Sequence, residues 1–302
     1  MSYKKKLNIK KAIRTIGLYC LRTNLFKSMP DELYLKIKYY LCFGKKLNLD
    51  NPKSFNEKIQ WLKLHDRNPR YPSLVDKAEV KKIIADKIGT KHIIKTYGVW
   101  NSFSEIDFSS LPNQFVIKCT HDSSSVIICS DKRVFNYDES NRILTTGLSC
   151  DFYKLGREWV YKDIKPRIIA EELITDSDNS YELRDYKFFC FNGQVKCFKV
   201  DFDRFSNHHA NYYDIDGNIL PFEEVVCPSD PQKIIKLPLN LSEMIKMAEV
   251  LSEGIPFVRV DLYNAKGHIY FGEMTFYPAS GFGLFNPEKW DSKLGEWIVL
   301  PS

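Results

Sequence analysis

Apolar positions recur along this chain at one of two spacings, and the spacing assigns the element. In residues 257–263, FVRVDLY, apolar and polar positions alternate, so Phe257, Arg259, Asp261 and Tyr263 share one face of a strand and Val258, Val260 and Leu262 the other. A turn over residues 264–267 leads into a second strand, 268–276, on which alternation puts Ile269, Phe271, Glu273 and Thr275 on one face. An antiparallel hairpin brings Asp261 and Glu273 to the same side only if its loop has an odd number of residues, for example 265–267. Other strand-like runs are QFVIKCT (114–120), VIIC (126–129), RIIAEELI (167–174) and the pair DYKFFCF and QVKCFKVDFD, joined by Asn192-Gly193, a two-residue hairpin signal.

Helical spacing appears in three clear places. Ser54-Phe55-Asn56-Glu57 is a capping-box pattern opening EKIQWLKLHD, with Ile59, Leu62 and Leu64 inward. Ser73-Leu74-Val75-Asp76 reads as a second box, opening KAEVKKIIADKI with Val80, Ile83, Ile84 and Ile88 on a stripe and Gly89 as its stop. SEMIKMAEVLSEG, opened by Asn240 or Ser242, turns Met244, Met247, Ala248 and Leu251 inward. Strands and helices punctuated in this way predict a compact α+β protein.

Composition narrows the class. The 302 residues, 44% apolar and 27% charged, suit an ordinary globular chain with a substantial core, and no run of 18 apolar residues is present to span a membrane. Eight cysteines include no C-x-x-C and six histidines show no ligand spacing, so no zinc site and no disulfide framework is expected, and a cytoplasmic location is. The net charge of +6 is uneven: residues 1–58 hold 14 Lys and Arg against 4 Asp and Glu, and the remainder is slightly acidic. Leu7, Ile9, Ile13, Ile16, Leu18 and Leu21 among those cations form an imperfect amphipathic helix, packed on its own domain or resting peripherally on the inner face of a membrane. No motif pairs basic with stacking residues, so nucleic acid is not an expected partner.

The candidate chemistry lies on the hairpin. Two carboxylates converging in apolar surroundings repel one another and lose hydration unless a cation joins them, and oxygen donors with open positions suit Mg²⁺ completed by phosphates. Arg259 adds a fixed positive group; the plainer alternative is an Arg–Asp ion pair with Glu273 solvated. Lys118, in an otherwise apolar strand, calls for an anionic partner. Arg157, in YKLGREWVYK, is a candidate for holding an acidic substrate or a salt-bridged surface residue. Ser280 and Gly281 are small and leave room near the hairpin for phosphate or acceptor.

R-x-D, a short turn and an apolar strand ending E-x-T resemble the metal-binding end of the ATP-grasp ligases, and FGEMTFYPASGFGLFNPEKWD resembles the branch named for teichuronopeptide biosynthesis, bacterial proteins of surface-polymer assembly. The resemblance runs from about residue 54 to residue 301. It implies two antiparallel-sheet lobes clasping ATP, with a basic helical extension over 1–70 and a catalytic domain over 71–302, its nucleotide lobe at about 111–170 and its metal-binding lobe at about 171–302. It further implies that Lys77 and Lys118 contact phosphates and that Ser123, Ser124 and Ser125 stand where relatives carry a glycine-rich lid. Glu171, Glu172, Leu173 and Ile174 would form the hinge against adenine, with Asp185 on ribose and Lys187 on a phosphate. Asp261, Glu273 and Thr275 would hold Mg²⁺, Thr275 replacing the usual asparagine. The implied activity is ATP- and Mg²⁺-dependent joining of a carboxylate to an amine through an acyl phosphate, with the carboxylate of a uronic acid or amino acid, or a saccharide acceptor, as substrate. The competing readings are a glycosyltransferase using Asp201-Phe202-Asp203, a kinase of the same fold, and a nucleotide-binding scaffold without turnover.

Overall fold

The computed structural model describes residues 14–21, 23, 26, 28–176, 183–204 and 206–301. The first 13 positions, which include most of the amphipathic basic stretch, lie outside them, so the expected membrane contact does too. Among the described residues no helix is long and apolar enough to cross a membrane.

After a helical stretch at 14–21 the elements run α1 (Asp31–Phe43), α2 (Phe55–His65), α3 (Tyr71–Val75), α4 (Val80–Ile88), β1 (Thr96–Trp100), β2 (Phe115–Cys119), β3 (Val126–Cys129), α5 (Tyr137–Leu148), α6 (Phe152–Gly156) and β4 (Ile168–Glu171). They continue β5 (Asp185–Phe191), β6 (Gln194–Phe202), β7 (His209–Tyr213), β8 (Glu223–Glu224), α7 (Leu241–Ser252), β9 (Phe257–Ala265), β10 (His268–Thr275), β11 (Phe285–Asn286) and α8 (Lys289–Glu296). One antiparallel sheet has the order β1-β4-β2-β3 and a second the order β10-β9-β5-β6-β7.

Each sheet has its own core. Phe115, Ile117, Ile168 and Ala170 pack with Leu144 of α5. The larger core sets Phe188, Phe198, Val258, Val260 and Leu262 against Phe55, Ile59 and Leu62 of α2, Met244, Ala248 and Leu251 of α7, and Trp290 and Leu294 of α8. A third cluster, Leu21, Tyr34, Leu35, Tyr39 and Leu47, ties α1 to Leu64 and Phe282. Helix α2 begins at the predicted capping box, with Ser54 accepting from the Glu57 N–H and Glu57 bonding back. The second predicted box is displaced: Ser73 lies inside α3 and donates to the Arg70 carbonyl, and Asp76 is the residue whose carboxylate accepts from the Ala78 and Glu79 N–H groups.

The β9–β10 hairpin corrects the expected parity. Its loop has two residues, Lys266 and Gly267, both at positive φ (52° and 81°), the type I′ geometry that matches strand twist. Ala265 therefore pairs with His268 and Leu262 with Phe271, a register that would turn Glu273 away from Asp261. A bulge at Gly272 restores it: the next pair is Asp261 with Glu273, then Arg259 with Thr275. Ile269 and Phe271 thus join the core while Glu273 and Thr275 face the opposite side, and the four do not share the face that simple alternation predicts. The bulge takes glycine because a Cβ at 272 would stand 3.0 Å from the Asp261 carbonyl oxygen and 3.1 Å from the Tyr263 ring.

Candidate active site

Pairing Asp261 with Glu273 brings Arg259 between them. The guanidinium donates through Nε to Asp261 Oδ1 (2.7 Å) and through Nη2 to Asp261 Oδ2 (2.6 Å), Glu273 Oε1 (3.3 Å) and Thr275 Oγ1 (3.1 Å). Asp261 is buried, and burial pushes its carboxyl up to about 6 even against the cations of Arg259 and Lys187. Burial raises Glu273 as well, but Lys77, Arg259 and Lys187 outweigh it and hold that carboxyl at about 2. The two acids are electrostatically unequal, and Glu273 carries the firmer negative charge.

Across the cleft, β2 turns Phe115, Ile117 and Cys119 to its core and Lys118 to the open face. Lys118 Nζ lies 2.5 Å from Glu171 Oε2, and Lys81 of α4 lies 2.6 Å from Oε1. Burial raises Glu171, yet those two ammoniums leave it below the ordinary carboxylate range. Glu172 is exposed, and its N–H donates to the Lys95 carbonyl; Leu173 and Ile174 are half-buried. Lys77 donates to the Asp122 carbonyl, and its own N–H to the Thr120 carbonyl, so the chain before α4 is tied to the strand end and the serine loop. Ser123 and Ser124 are exposed; Ser125 is buried, its hydroxyl 2.5 Å from Asp122 Oδ2 and facing Gly147 of α5 rather than the cleft.

Beside Asp261 the five-stranded sheet carries a ladder of alternating charges. Lys187 contacts Asp185, Asp201 (2.9 Å) and Asp261 (3.7 Å); Lys199 contacts Glu224 (3.2 Å) and Asp201 (3.8 Å); Arg204 donates to Asp185 at 3.3 Å. Asp203, the other half of the D-x-D motif, turns to Lys233. The fold also gathers Asp201, His208 and Cys227 with donor atoms within 4.8 Å of one another, a grouping that no sequence spacing signals. Lys187 and Lys199 already stand against its carboxylate.

A cavity of about 530 Å³ opens where the lobes meet, lined by Lys77 and Ser123 from one side and Arg259, Glu273, Thr275 and Tyr277 from the other. Ser280 lines it too. Gly281 lies behind, where a Cβ would stand 2.4 Å from Gln60 Nε2. Arg157 is elsewhere: at φ 54° it turns its buried guanidinium onto the Tyr34 ring, 4.4 Å from the centroid, and donates to the Phe26 carbonyl. The missed lining residues include Lys38 of α1, Glu158, Tyr161 and Tyr277. Lys63, behind the cavity, was legible, since it falls four positions after the inward Ile59.

Residues 57–299 match the family described as TupA-like ATPgrasp. The chain belongs to that family. No protein with a curated description matches it in sequence. Among solved structures, the TupA-like ATP-grasp chain is similar to D-alanine–D-alanine ligase from Bacillus anthracis complexed with ATP (18% identity over 74% of this chain and 63% of that one, TM-score 0.42). It is also similar to the same ligase from Helicobacter pylori (14%, 82% and 70%, 0.41) and to the ATP-grasp ligase PsnB complexed with a phosphomimetic variant of its minimal precursor, Mg and ADP (11%, 73% and 57%, 0.40). Another match, to the B. anthracis ligase, spans 57% of that protein's length.

The family implies Mg²⁺, and the donor set suits it: two carboxylates paired across strands and a hydroxyl, Thr275 Oγ1, 3.2 Å from Glu273 Oε1. Arg259 already spans these oxygens, so a hard cation here would share Asp261 with the guanidinium and lean on Glu273.

Proposed function

We propose that this protein is an ATP- and Mg²⁺-dependent ligase that activates a carboxylate as its acyl phosphate and joins it to an amine, acting on a bacterial surface polysaccharide or its precursor. The observation that carries the reading is the cavity of about 530 Å³, which brings the cations Lys77 and Arg259, the carboxylate of Glu273 and the small residues Gly156, Ala279 and Ser280 into one space. Lys118 and Lys77 would hold the nucleotide phosphates, with Ser123 and Ser124 donating from the loop, and the hinge from Glu171 to Ile174 would border adenine. Asp185 and Lys187 would serve ribose and phosphate. Asp261, Glu273 and Thr275 would hold Mg²⁺, which when bound neutralises charge on the phosphate oxygens. Arg259, anchored on Asp261, would face the oxyanion that develops as the carboxylate is activated and then attacked.

The test is calorimetric titration of Mg²⁺·ATP and of UDP-sugars into the wild type and Glu273→Gln, followed by ADP release over a panel of carboxylates and amines. ATP binding that weakens in Glu273→Gln, with ADP release that needs a carboxylate, is the expected result. UDP-sugar binding indifferent to the substitution would favour a glycosyltransferase, a reading already weakened because Asp201 and Asp203 each face lysine. ADP release that needs no amine and leaves a stable phosphorylated product would mark a kinase.

A further inference from the structure

The cavity is also lined by a carboxylate, Glu158, that the ligase reading leaves without a part in holding the nucleotide. Glu158 lies between α6 and a short turn at residues 159–161, lines the cavity and is 8% exposed. Its neighbours come from three directions. Lys63 on α2 is fully buried behind it and donates to the Gly156 carbonyl (2.8 Å), the Ser280 carbonyl (2.7 Å) and the Ser280 hydroxyl (3.0 Å). Ser280 hydrogen-bonds Glu158 from the turn after β10, and Lys38 on α1 adds a second ammonium within electrostatic reach. Tyr161 and Tyr277 line the same cavity within electrostatic reach of the carboxylate.

This end of the cavity is shaped at some conformational expense. Ala279, Ser280 and Gly281 all sit at positive φ (47°, 55° and 62°), a conformation that L-residues adopt reluctantly. Gln60 and Lys63 clamp the turn by taking the carbonyls of Ser280 and Gly281. Gly156 has no room for a side chain, since a methyl there would stand 2.2 Å from Ser280 Oγ and 2.6 Å from Glu158 Oε1. Together, strain, a clamp and a glycine that lets Ser280 and Glu158 come close hold one carboxylate in the wall of the cavity that Lys77 also lines. Burial pushes that carboxyl above the ordinary range despite Lys63, whose own ammonium burial pushes down to about 7. Such a carboxylate is a better proton acceptor than a solvated one.

We infer that Glu158 binds the attacking group of the acceptor, a protonated primary amine, and takes the proton that must leave it before attack. The inference deepens the ligase reading and rests on it. The ammonium gives one proton to Glu158. The freed nitrogen lone pair then forms the C–N bond to the acyl carbon while the C–O bond to the phosphate breaks, its electron pair staying on the phosphate. The nitrogen's second proton leaves with that phosphate as hydrogen phosphate, and Glu158 returns its proton to solvent. The aromatic rings of Phe152, Tyr161 and Tyr277 that line the same cavity suit the apolar face of an amino sugar or the carbon stem of an amino acid.

The experiment separates the two half-reactions. Wild type, Glu158→Gln and Glu158→Asp are given Mg²⁺·ATP and a carboxylate panel of uronic acids and amino acids. Each is trapped either with hydroxylamine, which is uncharged near neutral pH, or with a panel of primary amines. In Glu158→Gln, hydroxamate formation stays within a few-fold of wild type, amine-dependent amide formation falls ~10²-fold, and raising the pH restores part of it as free amine accumulates. Glu158→Asp falls less. Equal loss of hydroxamate and amide would make Glu158 a structural residue, and amide formation unchanged in Glu158→Gln would remove it from the reaction. Absence of carboxylate-dependent ADP release in wild type would overturn the ligase reading itself and this inference with it.

Discussion

The bond between Arg259 and Asp261 is the sharpest place to test the electrostatic account. Both Asp261 oxygens accept from the guanidinium, at 2.6 and 2.7 Å, and the carboxylate is only 2% exposed. Arg259→Met keeps the length of the side chain and removes the charge, stranding a buried anion whose nearest remaining cation in this cluster is Lys187 at 3.7 Å. Breaking one partner of a buried pair typically costs about 3–5 kcal/mol, a large part of the roughly 5–15 kcal/mol that holds a domain together. Adding Asp261→Asn removes the stranded charge, and the double variant recovers at least about half of the loss. Urea denaturation at pH 7.5 and pH 5 reads both effects. Asp261 already titrates near 6 with Arg259 present, and without it the carboxyl rises further. Below that value the native state holds a proton that the unfolded chain releases, so the penalty in Arg259→Met shrinks as pH falls. A loss under about 1 kcal/mol at pH 7.5, or a double variant no better than the single, would refute the assignment of Asp261 as a buried charge dependent on Arg259.

Wild-type stability has an acid limb set by carboxyls of the opposite kind. Glu273 at about 2, together with Asp201, Glu171 and Glu224, all below their ordinary range, contributes stability that is present above about pH 4.5 and is lost as pH falls toward 2. Urea midpoints at pH 5, 4 and 3 should fall steeply in wild type and less steeply in Glu273→Gln. At the bulge, deleting Gly272 leaves Glu273 next after Phe271 and still opposite Asp261, so Mg²⁺·ATP binding measured by calorimetry survives; inserting alanine after Gly272 turns Glu273 toward the core and abolishes it. Gly281→Ala, at φ 62° and with Ile59 Cγ2 2.5 Å from the new methyl, should lose more than about 1–2 kcal/mol in the same denaturation assay.

The α+β class, the helix at Ser54 and the Asn192-Gly193 hairpin were readable because local signals decide them: a capping box, a turn dipeptide and two periodicities. The hairpin that carries Arg259, Asp261 and Glu273 was readable as an element but not in register. Period two is blind to a bulge, and Gly272 gives only a weak hint of one. Lys118 was legible as an odd charge in an apolar strand, but its partner Glu171 lies 53 positions later and became visible only once β2 and β4 paired. Glu158 and Lys38 carry no periodic signal; their place in the cavity depends on α6 and α1 docking side by side, where Lys38 Nζ donates to the Leu155 carbonyl. Arg157 was open to both readings because an arginine among aromatic residues is compatible with a substrate site and with a cation held on a tyrosine ring beside an acid, as it stands here on Tyr34 with Asp31 3.7 Å away.

The distribution of charge explains why the two lobes need each other. On the face of the five-stranded sheet that carries Asp261, Glu273, Asp185, Asp201 and Glu224 are set against Arg259, Lys187, Lys199 and Arg204, so acids and cations nearly balance and little positive charge remains for a triphosphate. The cations left to meet it stand mainly on the other side of the cleft, at Lys77 and Lys118, with Lys38 on α1 at the cavity's edge. Lys118 is engaged by Glu171, and Lys77 by the Asp122 carbonyl. A polyanion arriving in the cleft therefore competes with internal partners on one side while meeting acids on the other. That arrangement suits a nucleotide delivered with a divalent cation. In the proposed reaction the ion would answer to Glu273 and the phosphates to the lysines, and neither side of the cleft alone would offer both.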